Sequence, residues 1–195
     1  MSTVTALRAR GGRVAVELDG RPWRVVPAVA ALEAGLAVGH TLERAQARTL
    51  GRALRRARAD EIALRALTRR DRSHAELEQR LADAGVRDGD RVSTLERAAR
   101  VGLVDDARFA ETRARVLAER GAGDLLILAD LERHGVDETV ARAAVCGLDA
   151  ESSRVTRIVE TRGRTPRTIR YLASRGFADE SLADLIAALE DGALP

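Results

Sequence analysis

One short pattern recurs three times along this chain: a leucine, three further residues, a glycine and then a large apolar residue. The copies are Leu81–Val86, Leu131–Val136 and Leu172–Phe177, and their glycines lie 50 and 41 residues apart. A glycine just past the end of a helix adopts positive φ readily, and the apolar residue after it folds back onto the last turn. Repetition at such an interval is typical of helical repeat proteins. The pattern therefore predicts a mainly α fold built from tandem helical units.

Other helical patterns flank each copy, so each unit is predicted to contain three helices. The expected segments are residues 1–40, a β-rich N-terminal segment; 41–106, a connecting helix and the first three-helix repeat; 107–150, the second three-helix repeat; and 151–195, the third. Such repeats are expected to stack into an elongated, curved array. The apolar periodicity of residues 41–68 fits one long helix or two.

Polar residues mark where several of these helices begin. Ser73 and Glu76 have the spacing of a capping box, in which each side chain satisfies a free backbone N–H at the other end. Asp105 or Asp106 is expected to cap the helix that carries Phe109, and we expect both Phe109 and Phe177 to lie in the core. In the third repeat, Thr165 is followed by proline, which is favoured at the first helical position.

The pattern of the first 26 residues predicts β-strands. Residues 4–8 and 13–18 alternate apolar and polar side chains, with a plausible hairpin turn at 10–13, and a second turn at 19–20 leads into residues 22–26. Because a three-stranded meander is marginally stable alone, its apolar side chains must pack against a helix. Residues 27–34, closed by Gly35, are the candidate helix. The side chains expected to be buried there are Val14, Val16, Leu18 and Trp23.

Basic charge is concentrated in two stretches of the chain. All 33 basic side chains are arginine and the net charge is only +3. Residues 1–58 hold 11 arginines against 4 acidic residues, and residues 151–176 hold 7 against 2, whereas the middle of the chain is slightly acidic. This distribution is expected of a protein that meets a polyanion or an acidic partner.

Two sets of arginines are candidate binding residues. The first has helical spacing, which places its members along one face: Arg44, Arg48, Arg52 and Arg55 or Arg56. This stripe fits two interpretations equally well, contact with phosphates or acidic side chains, and a solvated helix face in an arginine-rich protein. The second set surrounds a predicted helix N-terminus, where cations oppose the helix dipole, and this placement favours a binding role. It comprises Arg162, Arg164, Arg167 and Arg170.

Catalytic and metal-binding patterns are absent from the sequence. The three histidines, His40, His74 and His134, have no second ligand at a metal-binding spacing, and no phosphate-binding glycine loop occurs. Cys146 is the single cysteine and is expected to be a small core residue. We therefore expect no enzyme activity, no cofactor and no metal. The lack of a signal peptide and of a long apolar run predicts a cytoplasmic protein without membrane contact.

The segment Gly102–Ala110, preceded by Ser73–Leu81, resembles the family of RecX regulatory proteins. That family shares a Ser-x-x-Glu-Leu start, a Gly-Leu-apolar-Asp-Asp-x-Arg-Phe-Ala junction and a Leu-x-x-x-Gly end, and the resemblance covers about residues 59–190. The third repeat departs from it, because Thr165 and Pro166 replace the Ser-x-x-Glu box. The β-rich segment lies outside the resemblance.

The resemblance implies a modulator of the RecA recombinase. Such a protein binds RecA filaments on single-stranded DNA and limits their growth or activity, in DNA repair and recombination. Weak direct DNA binding is a further expected mode, and a monomer is the default expectation. The alternative function is a helical nucleic-acid-binding protein that acts by occupying DNA. Arginine clusters alone fit both.

Overall fold

The computed structural model describes residues 2–190, with side chains through residue 187. The elements in this part of the chain are β1 (Ser2–Arg10), β2 (Arg13–Leu18), β3 (Arg21–Pro27), α1 (Ala28–Glu33), β4 (Thr41–Leu42), α2 (Arg44–Leu67), α3 (His74–Asp83), α4 (Asp88–Arg100), α5 (Asp106–Glu119), α6 (Asp124–Arg133), α7 (Glu138–Cys146), α8 (Glu151–Arg162), α9 (Pro166–Ser174) and α10 (Asp179–Glu190). The predicted mainly α class with a β-rich N-terminal segment is confirmed. Residues 191–195 of the predicted third repeat lie outside the described residues.

The chain divides into two compact units. The first unit comprises Met1–Arg70 and Leu77–Arg100, and the second comprises Asp71–Glu76 and Val101–Pro195. The first unit therefore holds the sheet, α1, α2 and α4, and the second holds α5 to α10. None of the helices within residues 2–190 is long and apolar enough to cross a membrane.

In the first unit, the strands form one antiparallel sheet in the order β3-β2-β1-β4. Both predicted hairpins are present. Gly11 and Gly12 have φ of 50° and 78°, and Asp19 and Gly20 have φ of 49° and 77°. Two successive residues with positive φ are the mark of the tight turn that matches the twist of the flanking strands. The short loops thus fix the register of three strands.

One face of this sheet packs on α1 and α2. Val4, Val16 and Val26 are buried with Ala31 of α1. Val14 and Leu18 are half-buried and pack against the same core, as expected, and Leu7, Leu36 and the α2 residue Leu54 pack there too. This face supplies the core of the N-terminal segment.

The predicted burial of Trp23 is wrong, because its side chain is 42% exposed. The pairing of β2 with β3 is irregular here. Val16 lies opposite Arg24, but the next residue of β2, Glu17, lies opposite Pro22. That irregularity leaves Trp23 without a partner residue. Alternation along β3 then places it with Val25 on the face turned away from the helices. Val26 takes the core position instead.

The pattern of residues 41–68 belongs to a single helix, the 24-residue α2. Its buried stripe runs at helical spacing through Leu50, Ala53, Ala59, Ala63 and Ala66, and Gly51 lies inside the helix without breaking it. At its start, the Glu43 N–H donates to the Gln46 side chain at 3.2 Å. Small alanines on this stripe allow the close approach of α1 and α4.

The repeated glycines end their helices as predicted. Gly85, Gly135 and Gly176 have φ of 71°, 70° and 77°. In each case the N–H of the following residue donates back to the carbonyl of the leucine of the pattern, at 3.0, 3.1 and 3.2 Å. This is the six-residue Schellman closure. A further copy, Leu117–Ala122, has the same bonds at the end of α5 and was missed, because alanine replaces the large apolar residue.

The predicted helix starts are also present. The Ser73 hydroxyl accepts the Glu76 N–H at 3.1 Å, and the Thr165 hydroxyl accepts the Thr168 N–H at 3.2 Å. Asp105 caps α5, whereas the neighbouring Asp106 accepts the His74 N–H at 2.7 Å. Each aspartate of the pair thus caps a different helix.

Phe109 and Phe177 lie in two separate cores of the second unit, as expected. Phe109 is 7% exposed and packs with Ile127 and Leu131, and Phe177 is 3% exposed and packs with Leu172. The prediction that Cys146 is a core residue is wrong, because the cysteine is exposed. The stripe that α7 buries runs through Ala141 and Ala144, and a residue two positions further along a helix faces away from it.

Candidate partner and nucleic-acid interface

The four arginines around the start of α9 form one exposed group, the α8–α9 cluster: Arg162, Arg164, Arg167 and Arg170. Arg162 is the last residue of α8, and the other three lie on the connecting loop and the first turns of α9. The structure therefore brings together the second set of sequence-predicted site residues. None of Arg164, Arg167 and Arg170 pairs with a carboxylate within residues 2–190.

A tight connection holds this cluster in place. Gly163 takes a φ of 79°, and its carbonyl accepts the hydroxyl proton of the buried Thr168 at 2.8 Å. The Thr165 hydroxyl lies 3.0 Å from that same hydroxyl and also caps α9. Pro166 fixes the first helical residue. The loop backbone is thus anchored by its own hydroxyl groups, while the arginine side chains extend into solvent.

Arg162 contacts the only tyrosine of the chain. Its guanidinium carbon lies 3.9 Å from the centre of the Tyr171 ring. A guanidinium over an aromatic face is attracted by the ring quadrupole, which contributes about 0.5–1 kcal/mol at an exposed site. The stack keeps the Arg162 charge beside α9, next to Arg164, Arg167 and Arg170.

The potential around this cluster is positive for two reasons. The first turn of α9 contains no acidic residue, so no carboxylate there offsets the arginines. The same turn exposes the positive end of the helix dipole, where anions are favoured and cations are not. Four arginines at such a site oppose helix stability locally, and this cost favours a role in binding an anionic partner.

In the first unit, the α2 stripe is exposed only in part. Arg44, Arg48 and Arg52 are exposed on α2, and Arg52 donates to the Thr49 hydroxyl at 3.1 Å. Arg55 departs from the predicted stripe, because it is half-buried and its Nε lies 3.4 Å from a carboxylate oxygen of Asp90. Arg56, the alternative fourth member, lies 3.8 Å from Glu33. We define the α2 stripe from here on as Arg44, Arg48 and Arg52.

One buried arginine, which the sequence did not predict, joins the second repeat to the third. Arg154 of α8 is 6% exposed, and it donates to the Ala122 carbonyl at 2.8 Å and forms an ion pair with Asp124. Burial raises the pKa of the Asp124 carboxyl, and Arg154 acts in the opposite direction. The sequence did contain a sign of this burial, because Arg154 lies one helical turn before Ile158 and therefore on the apolar face of α8.

Glu151 makes a second connection between these repeats. One of its carboxylate oxygens accepts the Asp124 N–H at 2.6 Å, and the other accepts the Ala178 N–H and the Ser181 hydroxyl at 3.1 and 2.7 Å. One carboxylate therefore caps α6 and also α10. A negative charge at two helix starts is favourable to both dipoles, which gives Glu151 a structural role.

A third ionic group lies against the start of α3. Arg113 forms a two-bond pair with Asp130, at 2.5 and 3.0 Å, and this hydrogen bonding holds the pKa of the Asp130 carboxyl below its usual value and raises that of Arg113. The His134 ring lies 5.7 Å from the Phe109 ring. The His134 carbonyl accepts the Ser73 hydroxyl at 2.5 Å. These groups hold the fold together.

Within residues 2–190, no three His, Cys, Asp or Glu side chains lie close enough to hold a metal ion. A cleft of 460 Å³ does open beside α5 and α8. Its charged lining is mixed, because Arg115 and Arg157 lie beside Glu119 and Asp149. Mixed charge does not favour a polyanion, so the exposed arginine groups are the better candidates for partner binding.

Tandem three-helix units define a helical repeat protein. The family model for the first three-helix domain of RecX matches residues 59–97, and that for the second three-helix domain of RecX matches residues 105–145. The chain belongs to the RecX family of regulatory proteins.

Individual relatives agree with this assignment. A regulatory protein RecX from Chromohalobacter salexigens is 40% identical over 134 residues, which cover 64% of this chain and 88% of the relative. One from Mycobacterium avium is 33% identical over 148 residues, which cover 69% of this chain and 86% of the relative.

Solved structures share the fold. A crystal structure of regulatory protein RecX superposes with a TM-score of 0.79 at 18% identity, covering 96% of this chain and all of the other. RecX from Lactobacillus salivarius superposes with a TM-score of 0.59 at 16% identity, over 70% of this chain and 97% of the other.

Proposed function

We propose that this protein binds RecA and its filaments on single-stranded DNA, and that it inhibits filament extension, ATPase and recombinase activity. The observation that carries the proposal is membership of the RecX family, with 40% identity to a regulatory protein RecX over most of that protein's length. Modulation of RecA is what the family resemblance implies. The protein acts as a monomer, by binding rather than by catalysis.

The α8–α9 cluster supports this function through its charge and its anchoring. The loop between α8 and α9 is fixed by Thr165 and Thr168, so that the partner meets three exposed arginines on an ordered backbone. A preorganised site spends less free energy on ordering when it binds. The partner group that we propose is an acidic RecA surface or the phosphates of the filament DNA.

The mechanism that we propose is bridging or capping of RecA subunits. The three repeats each offer a separate helical surface, and a protein that touches adjacent subunits, or the last one, slows further addition. Such a protein acts at substoichiometric ratios, because one molecule affects many RecA subunits. A protein that only covers DNA acts when the DNA is saturated.

The test is RecA ATPase on single-stranded DNA, with this protein titrated in. We expect inhibition well below one molecule per RecA. Absence of any effect until the DNA itself is saturated would contradict the proposal and favour the second function, a helical protein that occupies DNA. The exposed α2 stripe is the observation in favour of that second function, because arginines at helical spacing fit successive phosphates.

Removal of the α8–α9 cluster charge is the first prediction. Replacement of Arg164, Arg167 and Arg170 by alanine should weaken filament inhibition about tenfold or more, because charged hydrogen bonds contribute about 1.5–3 kcal/mol each. The measurement is the protein concentration that halves RecA ATPase, with circular dichroism to verify folding.

The matched control removes the same charge from elsewhere. Arg65, Arg142 and Arg157 are exposed and already paired with Glu61, Glu138 and Asp149. Their joint replacement by alanine should leave inhibition unchanged. Equal loss in both variants, or unchanged inhibition in a folded Arg164, Arg167 and Arg170 variant, would sink the assignment of this cluster.

A further inference from the structure

The open face of the N-terminal sheet, the one turned away from α1 and α2, combines apolar and basic groups. Trp23 and Val25 on β3 are 42% and 44% exposed. Exposed apolar side chains that lie together on one face form a patch of the kind that marks interaction sites. The two family models match residues 59–97 and 105–145, so neither of them covers this segment.

Arginines surround the apolar pair on the same face. The register places Arg8 opposite Ala15, which in turn lies opposite Val25, and Arg10 lies opposite Arg13 at the hairpin. Adjacent strands are about 5 Å apart and alternate residues of one strand are about 7 Å apart, so the three arginines lie close together. All three are exposed.

Two further arginines lie on the β3 edge, where Arg21 is opposite Leu18 and Arg24 is opposite Val16, so both belong to the border of the covered face. Arg21 and Arg24 are exposed on this edge strand, and the guanidinium carbon of Arg24 lies 5.0 Å from the centre of the Trp23 ring. Two carboxylates lie nearby. Glu17 lies 3.9 Å from Arg8 and accepts the Thr5 hydroxyl, and Asp19 accepts the Thr3 N–H at 2.8 Å. Three arginines of the open face, with the Arg24 guanidinium at its edge beside Trp23, outnumber these two carboxylates, so the surface is basic.

We propose that this sheet face is a binding surface for single-stranded nucleic acid, with Trp23 stacking on a base and Arg8, Arg10 and Arg13 contacting phosphates. Single-strand binding sites combine a basic groove with aromatic side chains on which bases stack, without a need for sequence readout. An acidic protein segment is the weaker match, because it uses the arginines and leaves the exposed indole ring without a role. A strand added at the β3 edge is disfavoured, since Pro22 and Pro27 lack the N–H that such pairing needs.

This inference extends the proposed function by giving it a DNA-contact surface, and it is tested without RecA. Trp23 is the only tryptophan of the chain, so its emission reports on this face alone. Titration of the full chain with a 36-nucleotide oligo-deoxythymidine at low salt should quench the tryptophan emission. The quenching should reverse at high salt, because phosphate contacts release counterions.

Two variants measure the contributions of the ring and of the charges. With fluorescein-labelled oligonucleotide and anisotropy as the readout, Trp23→Ala should weaken binding about tenfold, because loss of one stacked base costs about that much. Replacement of Arg8, Arg10 and Arg13 by alanine should lower the slope of log K against log salt by about 2, since each single-strand phosphate contact contributes about 0.7. All these side chains are exposed, so we expect the variants to fold.

A control variant in the same unit replaces three arginines by alanine. These are Arg58, Arg65 and Arg69, which are exposed on or just after α2. It should retain the slope and affinity of the parent protein. The proposal is overturned if the oligonucleotide leaves tryptophan emission unchanged, if the control loses as much affinity as the sheet variant, or if polyglutamate quenches the emission as strongly as DNA does. Quenching by DNA together with absent RecA inhibition would overturn the proposed function alone.

Discussion

At the scale of single residues, the second unit depends on a few buried charges. Asp130 is 8% exposed, and its carboxylate is held by two hydrogen bonds from Arg113 with His134 beside it. Its pKa is lowered, first by the Arg113 hydrogen bonds and against the effect of burial. Such a group stabilises the fold only while it is ionised, so this part of the stability depends on pH.

The pH dependence follows from the direction of that shift. Because the folded pKa of Asp130 lies below its unfolded value of about 3.9, its stabilising contribution is complete above that pH and is lost as the pH falls through the folded value. The free energy of unfolding should therefore differ between the parent protein and Asp130→Asn at pH 7, and the difference should shrink below about pH 4. Urea unfolding at several pH values between 7 and 2.5 measures it.

A matched variant separates this group from the general effect of acid. Glu138→Gln removes a carboxylate from an exposed pair with Arg142, where solvent screens the charges. The difference in the free energy of unfolding between this variant and the parent protein should stay constant over the same pH range. A constant gap between parent and Asp130→Asn down to pH 2.5 would show that the pair contributes nothing that depends on ionisation.

At the scale of helices and strands, local signals predicted the ends of elements well. The glycine closures, the Ser73 and Thr165 caps and the hairpin turns each involve residues no more than five positions apart, so a short stretch of sequence determines them. Arg154 was missed because its carbonyl partner, Ala122, lies 32 residues away. Trp23 was misplaced because an irregular strand pairing decided its face. Both outcomes depend on tertiary contacts that periodicity does not contain.

The glycine closures are expected to differ in cost when a side chain is added. A Cβ on Gly176 would lie 2.6 Å from the backbone nitrogen of Leu126, and its φ is already 77°. A Cβ on Gly121 meets only ordinary contacts, the nearest at 3.4 Å from the Tyr171 hydroxyl, with a similar φ of 75°. Gly121→Ala should cost about 1–2 kcal/mol for the left-handed backbone. Gly176→Ala should cost about 2–5 kcal/mol, since overpacking adds about 1–3 kcal/mol.

Thermal and urea unfolding of the two variants measure this difference. Gly123→Ala completes the set, because Gly123 has an ordinary φ of −81° and an added Cβ would lie 2.3 Å from the Gly176 backbone. The loss of stability in Gly123→Ala therefore measures the steric clash without a contribution from a left-handed backbone. Equal costs for Gly121→Ala and Gly176→Ala would mean that α6 and α9 separate readily at this point.

At the scale of the whole molecule, the charge distribution seen in the sequence corresponds to separate exposed surfaces. The first unit carries the α2 stripe and the basic sheet face, and the second unit carries the α8–α9 cluster. Sequence alone found the two helical groups, because arginines at spacings of three and four are visible in it. The basic sheet face was not predicted from the sequence, because its arginines come together only through the pairing of β1 with β2.

Salt dependence distinguishes the two functions proposed for these surfaces. Binding to bare single-stranded DNA should fall steeply between about 50 and 300 mM salt, since each phosphate contact adds about 0.7 to the slope. Binding to RecA filaments should keep a salt-resistant part, because protein contacts also bury apolar surface. Anisotropy of labelled protein on both targets measures the two slopes. Equal salt slopes for bare DNA and for RecA filaments would favour occupation of DNA as the sole mode of action.

The joint between α6 and α9 also limits how this protein can be divided. The Gly123 N–H donates to the Arg175 carbonyl at 2.9 Å, and Arg175 returns two bonds to the carbonyls of Gly121 and Arg120 at 3.1 and 3.0 Å. A chain cut after the second repeat would lose these partners and the Arg154 and Glu151 contacts together. Helices α6, α8 and α9 therefore belong to one compact unit, and neither side of this contact is expected to be stable when it is transferred alone into another protein.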